Sequence, residues 1–184
     1  DIVHGPARKG RPHPNIFLGD SAGTWRPWTT ARYPDFPFDY GDVAVGDFDG
    51  DGHQDMAVGM HLKGLMVLRG DGKGNFERWS DGIEVEIPGQ GGDASTFSSR
   101  EIEAVDWNRD GRLDIAAFGE GPKATNQMAL QRGKIETKSS RGVVVFLNNG
   151  NSGWSALEMD DQQIFGDSLS MADLNGDEYP DFVT

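Results

Sequence analysis

The sequence predicts an all-β chain assembled from repeated four-stranded units. Three observations predict it. The 184 residues include 26 glycines and 9 prolines with few long apolar runs, a composition of short strands and many turns. An aspartate-rich segment of nine residues recurs three times. A pattern of apolar run, glycine turn and aromatic recurs beside it.

The aspartate segments align without gaps: Asp47-Phe-Asp-Gly-Asp-Gly-His-Gln-Asp55, Asp106-Trp-Asn-Arg-Asp-Gly-Arg-Leu-Asp114 and Asp173-Leu-Asn-Gly-Asp-Glu-Tyr-Pro-Asp181. Each is flanked by short apolar stretches, Val43-Ala-Val and Met56-Ala-Val at the first, which read as the strands entering and leaving a loop. The opening Asp1-Ile-Val-His-Gly matches Asp55-Met-Ala-Val-Gly, so Asp1 reads as the ninth position of a fourth loop. Ninth positions at 1, 55, 114 and 181 give periods of 54, 59 and 67 residues.

The second landmark is a hairpin. Asn15-Ile-Phe-Leu18 leads through a Gly/Asp turn to Trp25, Leu65-Met-Val-Leu68 to Phe76, and Val143 to Leu147 through Asn148-Asn-Gly150 to Trp154. Each period therefore holds strand, Asp loop, strand, connection, strand, glycine hairpin and strand. Four strands in a period of roughly 40–65 residues describe one propeller blade. The expected fold is a fragment of a β-propeller with about three four-stranded blades. It forms one unit over 1–184, with periods 1–54, 55–113 and 114–180 and both ends cutting through a repeat. A short turn near Ala124–Leu130 is the one helical candidate.

The loops point to a metal. Ca²⁺ takes roughly six to eight oxygens at about 2.3–2.6 Å, and alternating Asp/Asn at positions one, three and five turn several oxygens inward. The expected ligand sets are Asp47, Asp49, Asp51, His53 and Asp55; Asp106, Asn108, Asp110, Arg112 and Asp114; and Asp173, Asn175, Asp177, Tyr179 and Asp181. At position seven (His53, Arg112, Tyr179) the backbone carbonyl is the donor. Two to three Ca²⁺ ions, one per loop, are expected. Three would shift the formal charge from −13 to −7. Mg²⁺ suits the loops less, because it demands near-octahedral geometry and keeps its waters. An EF-hand needs Glu at position twelve, where Val58, Ala117 and Thr184 stand. Gly52 and Gly111 at position six suit a left-handed turn, whereas Glu178 there carries a steric cost of roughly 1 kcal/mol, which sets the third loop apart.

The pattern Asp-x-Asp/Asn-x-Asp-Gly-x-x-Asp between strands, repeated over the whole chain, resembles the FG-GAP and VCBS repeat family of integrin α propellers and secreted bacterial proteins. The resemblance implies a propeller of about seven blades, completed by chain outside this sequence. It also implies calcium for structural integrity and an extracellular, cell-surface or periplasmic setting. It implies no single activity: such repeats occur in adhesion heads, lectin-like modules and accessory domains of secreted enzymes. The expected role is a non-enzymatic binding, adhesion or structural module. The propeller portion of a secreted carbohydrate-active enzyme, a polysaccharide lyase or hydrolase, is the alternative.

Other features exclude or mislead. A net charge of −13 argues against nucleic acid. No stretch reaches the roughly 18 apolar residues of a membrane helix, and zero Cys removes disulfides and thiolate sites. Gly166-Asp-Ser-Leu169 spells a hydrolase motif, yet Ser168 takes the repeat position of Asp42 and Glu101. Arg69-Gly-Asp71 spells an adhesion tripeptide inside a hairpin turn. Gly89-Gln-Gly-Gly-Asp93 lacks the Lys-Ser/Thr of a phosphate loop. His4, His13, His53 and His61 show no metal or triad spacing and read as solvated loop positions, and the five Trp read as strand packing.

The connections on the face opposite the Asp loops are basic. Segments 4–14, 60–64 and 120–141 carry Arg8, Lys9, Arg11, Lys63, Lys123, Arg132, Lys134, Lys138 and Arg141 and sum to +7. Solvated loops account for this bias. The sharper expectation is an anionic partner, an acidic glycan or protein, on that face.

Overall fold

The computed structural model describes residues 1–6, 13–35, 40–61, 64–80, 83, 99–119, 142–158 and 168–184. The Ala124–Leu130 turn, the Gly89–Asp93 segment, Gly166–Asp167 and the nine basic residues of the connections lie outside them. Every described element is a strand, and no described helix is long and apolar enough to cross a membrane.

Among the described residues, thirteen strands form four antiparallel sheets in chain order. Sheet one holds β1 (Ile2–His4), β2 (Asn15–Gly19) and β3 (Trp25–Pro27). Sheet two holds β4 (Val43–Gly46), β5 (Asp55–Met60), β6 (Gly64–Gly70) and β7 (Phe76–Arg78). Sheet three holds β8 (Ser99–Val105), β9 (Asp114–Gly119), β10 (Val143–Asn148) and β11 (Trp154–Glu158). Sheet four pairs β12 (Ser170–Ala172) with β13 (Asp181–Val183).

This is a propeller-like fragment, although the described sheets do not close a ring. Two blades are complete, and three- and two-stranded sheets flank them. Each complete sheet runs strand, Asp loop, strand, connection, strand, glycine hairpin and strand, the order expected for a blade, so the strand entering each Asp loop (β4, β8, β12) opens a sheet.

Stacking of the sheets explains why β5 (Asp-Met-Ala-Val-Gly-Met) and β9 (Asp-Ile-Ala-Ala-Phe-Gly) are buried at every residue and show no polar alternation. Successive side chains point to opposite faces, and both faces are covered. Met56, Val58 and Met60 join Ile16, Met66 and Leu68 in a cluster between sheets one and two. Ala57, Leu65 and Val67 join Ile102, Ile115, Ala117, Val144 and Phe146 between sheets two and three. Ala116, Phe118, Val143 and Val145 meet Leu169 and Met171 toward sheet four. Each full burial of a Val- or Leu-sized side chain stabilises the stack by about 1.5–3 kcal/mol.

The sheets meet along their first strands: β8 packs on β4 and β5, and β12 on β8. At the outer end, Trp154 lies edge-on to Phe48 at 5.9 Å and to Trp79 at 5.8 Å between ring centroids, and its Nε1 donates to the Trp79 carbonyl at 3.2 Å. Trp25 is exposed, while Trp28, Trp79 and Trp107 pack against the clusters. Two histidines depart from the expected solvated state: His13 stacks on Tyr33 at 4.7 Å and His61 on Tyr40 at 4.5 Å.

Candidate metal centre

The three Asp loops share one hydrogen-bond scheme. The first-position carboxylate accepts the N–H of positions five and six: Asp47 from Asp51 (3.1 Å) and Gly52 (2.9 Å), Asp106 from Asp110 and Gly111 (both 3.0 Å), Asp173 from Asp177 (3.2 Å) and Glu178 (2.9 Å). Position three accepts the N–H of position five, at Asp49, Asn108 and Asn175. Position five accepts the N–H of position seven, at Asp51, Asp110 and Asp177. Short side chains that reach their own backbone two to five residues on curl the loop.

The curl needs left-handed backbone at positions four and six: Gly50 and Gly52 (φ 76° and 87°), Arg109 and Gly111 (61° and 86°), Gly176 and Glu178 (80° and 69°). Glu178 holds the expected costly conformation. Arg109 holds another, in a loop that the sequence ranks as well formed. The second and third loops therefore each carry one non-glycine residue in the left-handed region, and the first carries none.

The ninth aspartate ties the loop to the sheet. Asp55 Oδ2 accepts the N–H of Phe48 (2.8 Å) and Asp49 (3.3 Å), while Oδ1 accepts that of Gly70 at the end of β6 (2.8 Å). Asp114 repeats this with Trp107 (2.9 Å) and Asn148 (2.8 Å), and Asp181 accepts from Leu174 (2.9 Å). Asp1 accepts from Gly19 (2.8 Å), the matching residue of β2. Asp55 and Asp114 are wholly buried, and burial pushes both carboxyls up against the pull of these N–H groups. Gly70 is obligatory, because a Cβ would lie 2.4 Å from the Gln54 carbonyl oxygen.

The sequence reading missed position two. Phe48 and Trp107 turn into the gaps between sheets, Phe48 fully buried in the cluster of sheets two and three. It also missed Asn148, whose buried amide donates to the carbonyls of Phe48 (2.7 Å) and Leu113 (3.1 Å) and so bridges two sheets. Bulky apolar residues at position two of every loop were the available signal.

Among the described residues, Asp47, Asp49 and Asp55 each offer one carboxylate oxygen within 4.8 Å of the other two, and they could hold a metal ion. Three hard oxygen donors suit Ca²⁺ or Mg²⁺ and not a soft metal. The Asp51 carboxylate accepts from His53 N instead. In the other loops Asn replaces Asp at position three, and its amide donates to position five: Asn108 to Asp110 and Asn175 to Asp177, both at 3.0 Å.

The adhesion tripeptide is committed to the hairpin. Arg69 pairs with Glu77, Gly70 N–H belongs to Asp55, and Asp71 accepts from Lys73 N, Asn75 N and Asn75 Nδ2. The Asn75 amide and backbone contacts draw the Asp71 carboxyl down to about 2. Ser168 is exposed.

Fold and loops together define a class: antiparallel blades of propeller type, with an Asp loop between the first and second strands of the sheet. Residues 2–58 match the family described as an FG-GAP-like repeat, which bears out the resemblance over that segment. The match runs from β1 to β5 and takes in the first Asp loop. No curated protein matches the chain.

Proposed function

We propose that the chain is a calcium-stabilised β-propeller module that works outside the cytoplasm as a binding or structural part, not as a catalyst. The observation that carries this reading is the first loop, where Asp47, Asp49 and Asp55 converge inside the segment matching an FG-GAP-like repeat. Asp47 and Asp49 are half-buried and Asp55 buried, so an ion there would meet water and protein oxygen together. Sites of this sort suit the millimolar calcium of extracellular fluids, for which modules bind at roughly 10⁻⁴–10⁻³ M. An acidic glycan or protein is the partner class favoured by the charge of segments 4–14, 60–64 and 120–141.

Calorimetric titration of the chelated full chain tests the metal. Saturable Ca²⁺ binding is expected, tighter than Mg²⁺ binding and weakened by Asp49→Asn, a residue that the second and third loops accommodate at this position. Absence of saturable binding would overturn the reading.

A further inference from the structure

We infer that Arg112 is a tethered cation of the second Asp loop, which competes with a divalent ion and makes this loop a weaker site than the first. The inference rests on the calcium reading above and concerns the residues that rank its sites.

The first two loops differ in where their arginine is held. At the first, Arg69 reaches in from β6, but Nη2 pairs with Glu77 on β7 and Nη1 stays 3.8 Å from Asp49 Oδ2. Glu77 draws the guanidinium outward and leaves the Asp47, Asp49 and Asp55 oxygens grouped. At the second loop the arginine belongs to the loop itself, at position seven. Its Nη2 pairs with Asp110 Oδ2, and Nε donates to the Asn148 carbonyl at 2.7 Å. Asp110 is thereby engaged at both oxygens, since Oδ1 accepts Arg112 N at 3.0 Å and Oδ2 also takes the Asn108 amide.

A cation entering the second loop must break the close Arg112–Asp110 pair inside its own ligand set, whereas one entering the first meets only the long Arg69–Asp49 contact at 3.8 Å. Partly exposed pairs of this kind are worth up to about 1 kcal/mol, which corresponds to roughly threefold to fivefold in affinity. The ranking departs from the sequence reading, which treats position seven only as a carbonyl donor and equates the first two loops.

The amides of Gly52 and Gly111, each bonded to the first aspartate of its own loop, read the two sites separately in a ¹⁵N-resolved Ca²⁺ titration of the full chain. In the wild type Gly52 is expected to saturate at lower Ca²⁺ than Gly111. Arg112→Gln should tighten the Gly111 response roughly threefold to fivefold and leave Gly52 unchanged, a gain that loss of a purely structural contact would not produce. Glu77→Gln, a surface change, should free Arg69 toward Asp49 and weaken the Gly52 response. An Arg112→Gln titration with Gly111 unchanged or weaker, or a Glu77→Gln titration with Gly52 unchanged, overturns the inference while calcium binding stands. No saturable response at either glycine in the wild type overturns the calcium reading itself.

Discussion

Arg109 Nη2 lies 2.8 Å from Glu178 Oε2, joining the fourth position of the second Asp loop to the sixth position of the third. Both residues sit in the left-handed region, and the Arg109 guanidinium also stands 5.1 Å from the centre of the Tyr179 ring. The two loops place their costly residues against each other across neighbouring sheets. The pair is exposed and offsets only part of the backbone cost. Glu178→Ala and Glu178→Gly both remove the carboxylate, but only Ala keeps the left-handed cost. The Ala variant is therefore expected to be less stable than the Gly variant by about 1 kcal/mol in chemical denaturation. Equal stabilities would show that the third loop carries no strain at this position.

Asp55 is a sheet tie as well as a candidate ligand. Asp55→Ala strands three backbone N–H groups, those of Phe48, Asp49 and Gly70. A buried unsatisfied donor costs about 1–3 kcal/mol, so a loss of about 3 kcal/mol or more is expected even in chelator. Asp49→Asn keeps an oxygen for Asp51 N and should leave chelated stability within about 0.5 kcal/mol of the wild type. Urea unfolding of both variants in chelator separates the two roles.

Asp42, at the entry to β4, lies with Glu101 and Glu103 of β8 along a cleft of 340 Å³. Burial pushes the Asp42 carboxyl up, against the pull of the Ile102 and Val43 N–H groups and of His4; burial and the Asp42 charge also push up Glu101 and Glu103. The folded state thus holds protons more tightly than the unfolded one. Stability from these groups is fully present below the ordinary carboxylate range and is lost as pH rises through the raised values. Asp42→Asn keeps an acceptor for the Ile102 N–H, which bonds Asp42 Oδ2 at 3.1 Å. It should raise the melting temperature at pH 7 by a few degrees, about 2–4 °C per kcal/mol, and flatten the fall in stability above about pH 4. A lower melting temperature at pH 7 would show that the Asp42 charge is stabilising.

The regular part of the fold was legible because it is local. The loop curl joins residues two to five apart, and the hairpin turns at 20–24, 71–75 and 149–153 carry their own Gly, Asp and Asn. What was not legible depends on distance along the chain. Asp55 meets Gly70 fifteen residues on, Asp114 meets Asn148 thirty-four on, and Arg109 meets Glu178 sixty-nine on. Nothing in the spacing of the loops selects those partners. Among the histidines, the stacking of His13 and His61 on tyrosines arises from connections between strands, where no pattern constrains a single residue.

The claim that most depends on chemistry outside the chain is that calcium holds these loops. Thermal unfolding of the full chain in excess Ca²⁺ and in chelator, with Asp49→Asn beside the wild type, tests it most directly. A ligand at 100 times its Kd adds about 2.7 kcal/mol per site, so Ca²⁺ is expected to raise the wild-type melting temperature by roughly 5–10 °C per filled site. Asp49→Asn should give a smaller rise from the same chelated baseline. An identical melting temperature with calcium and with chelator would contradict the account.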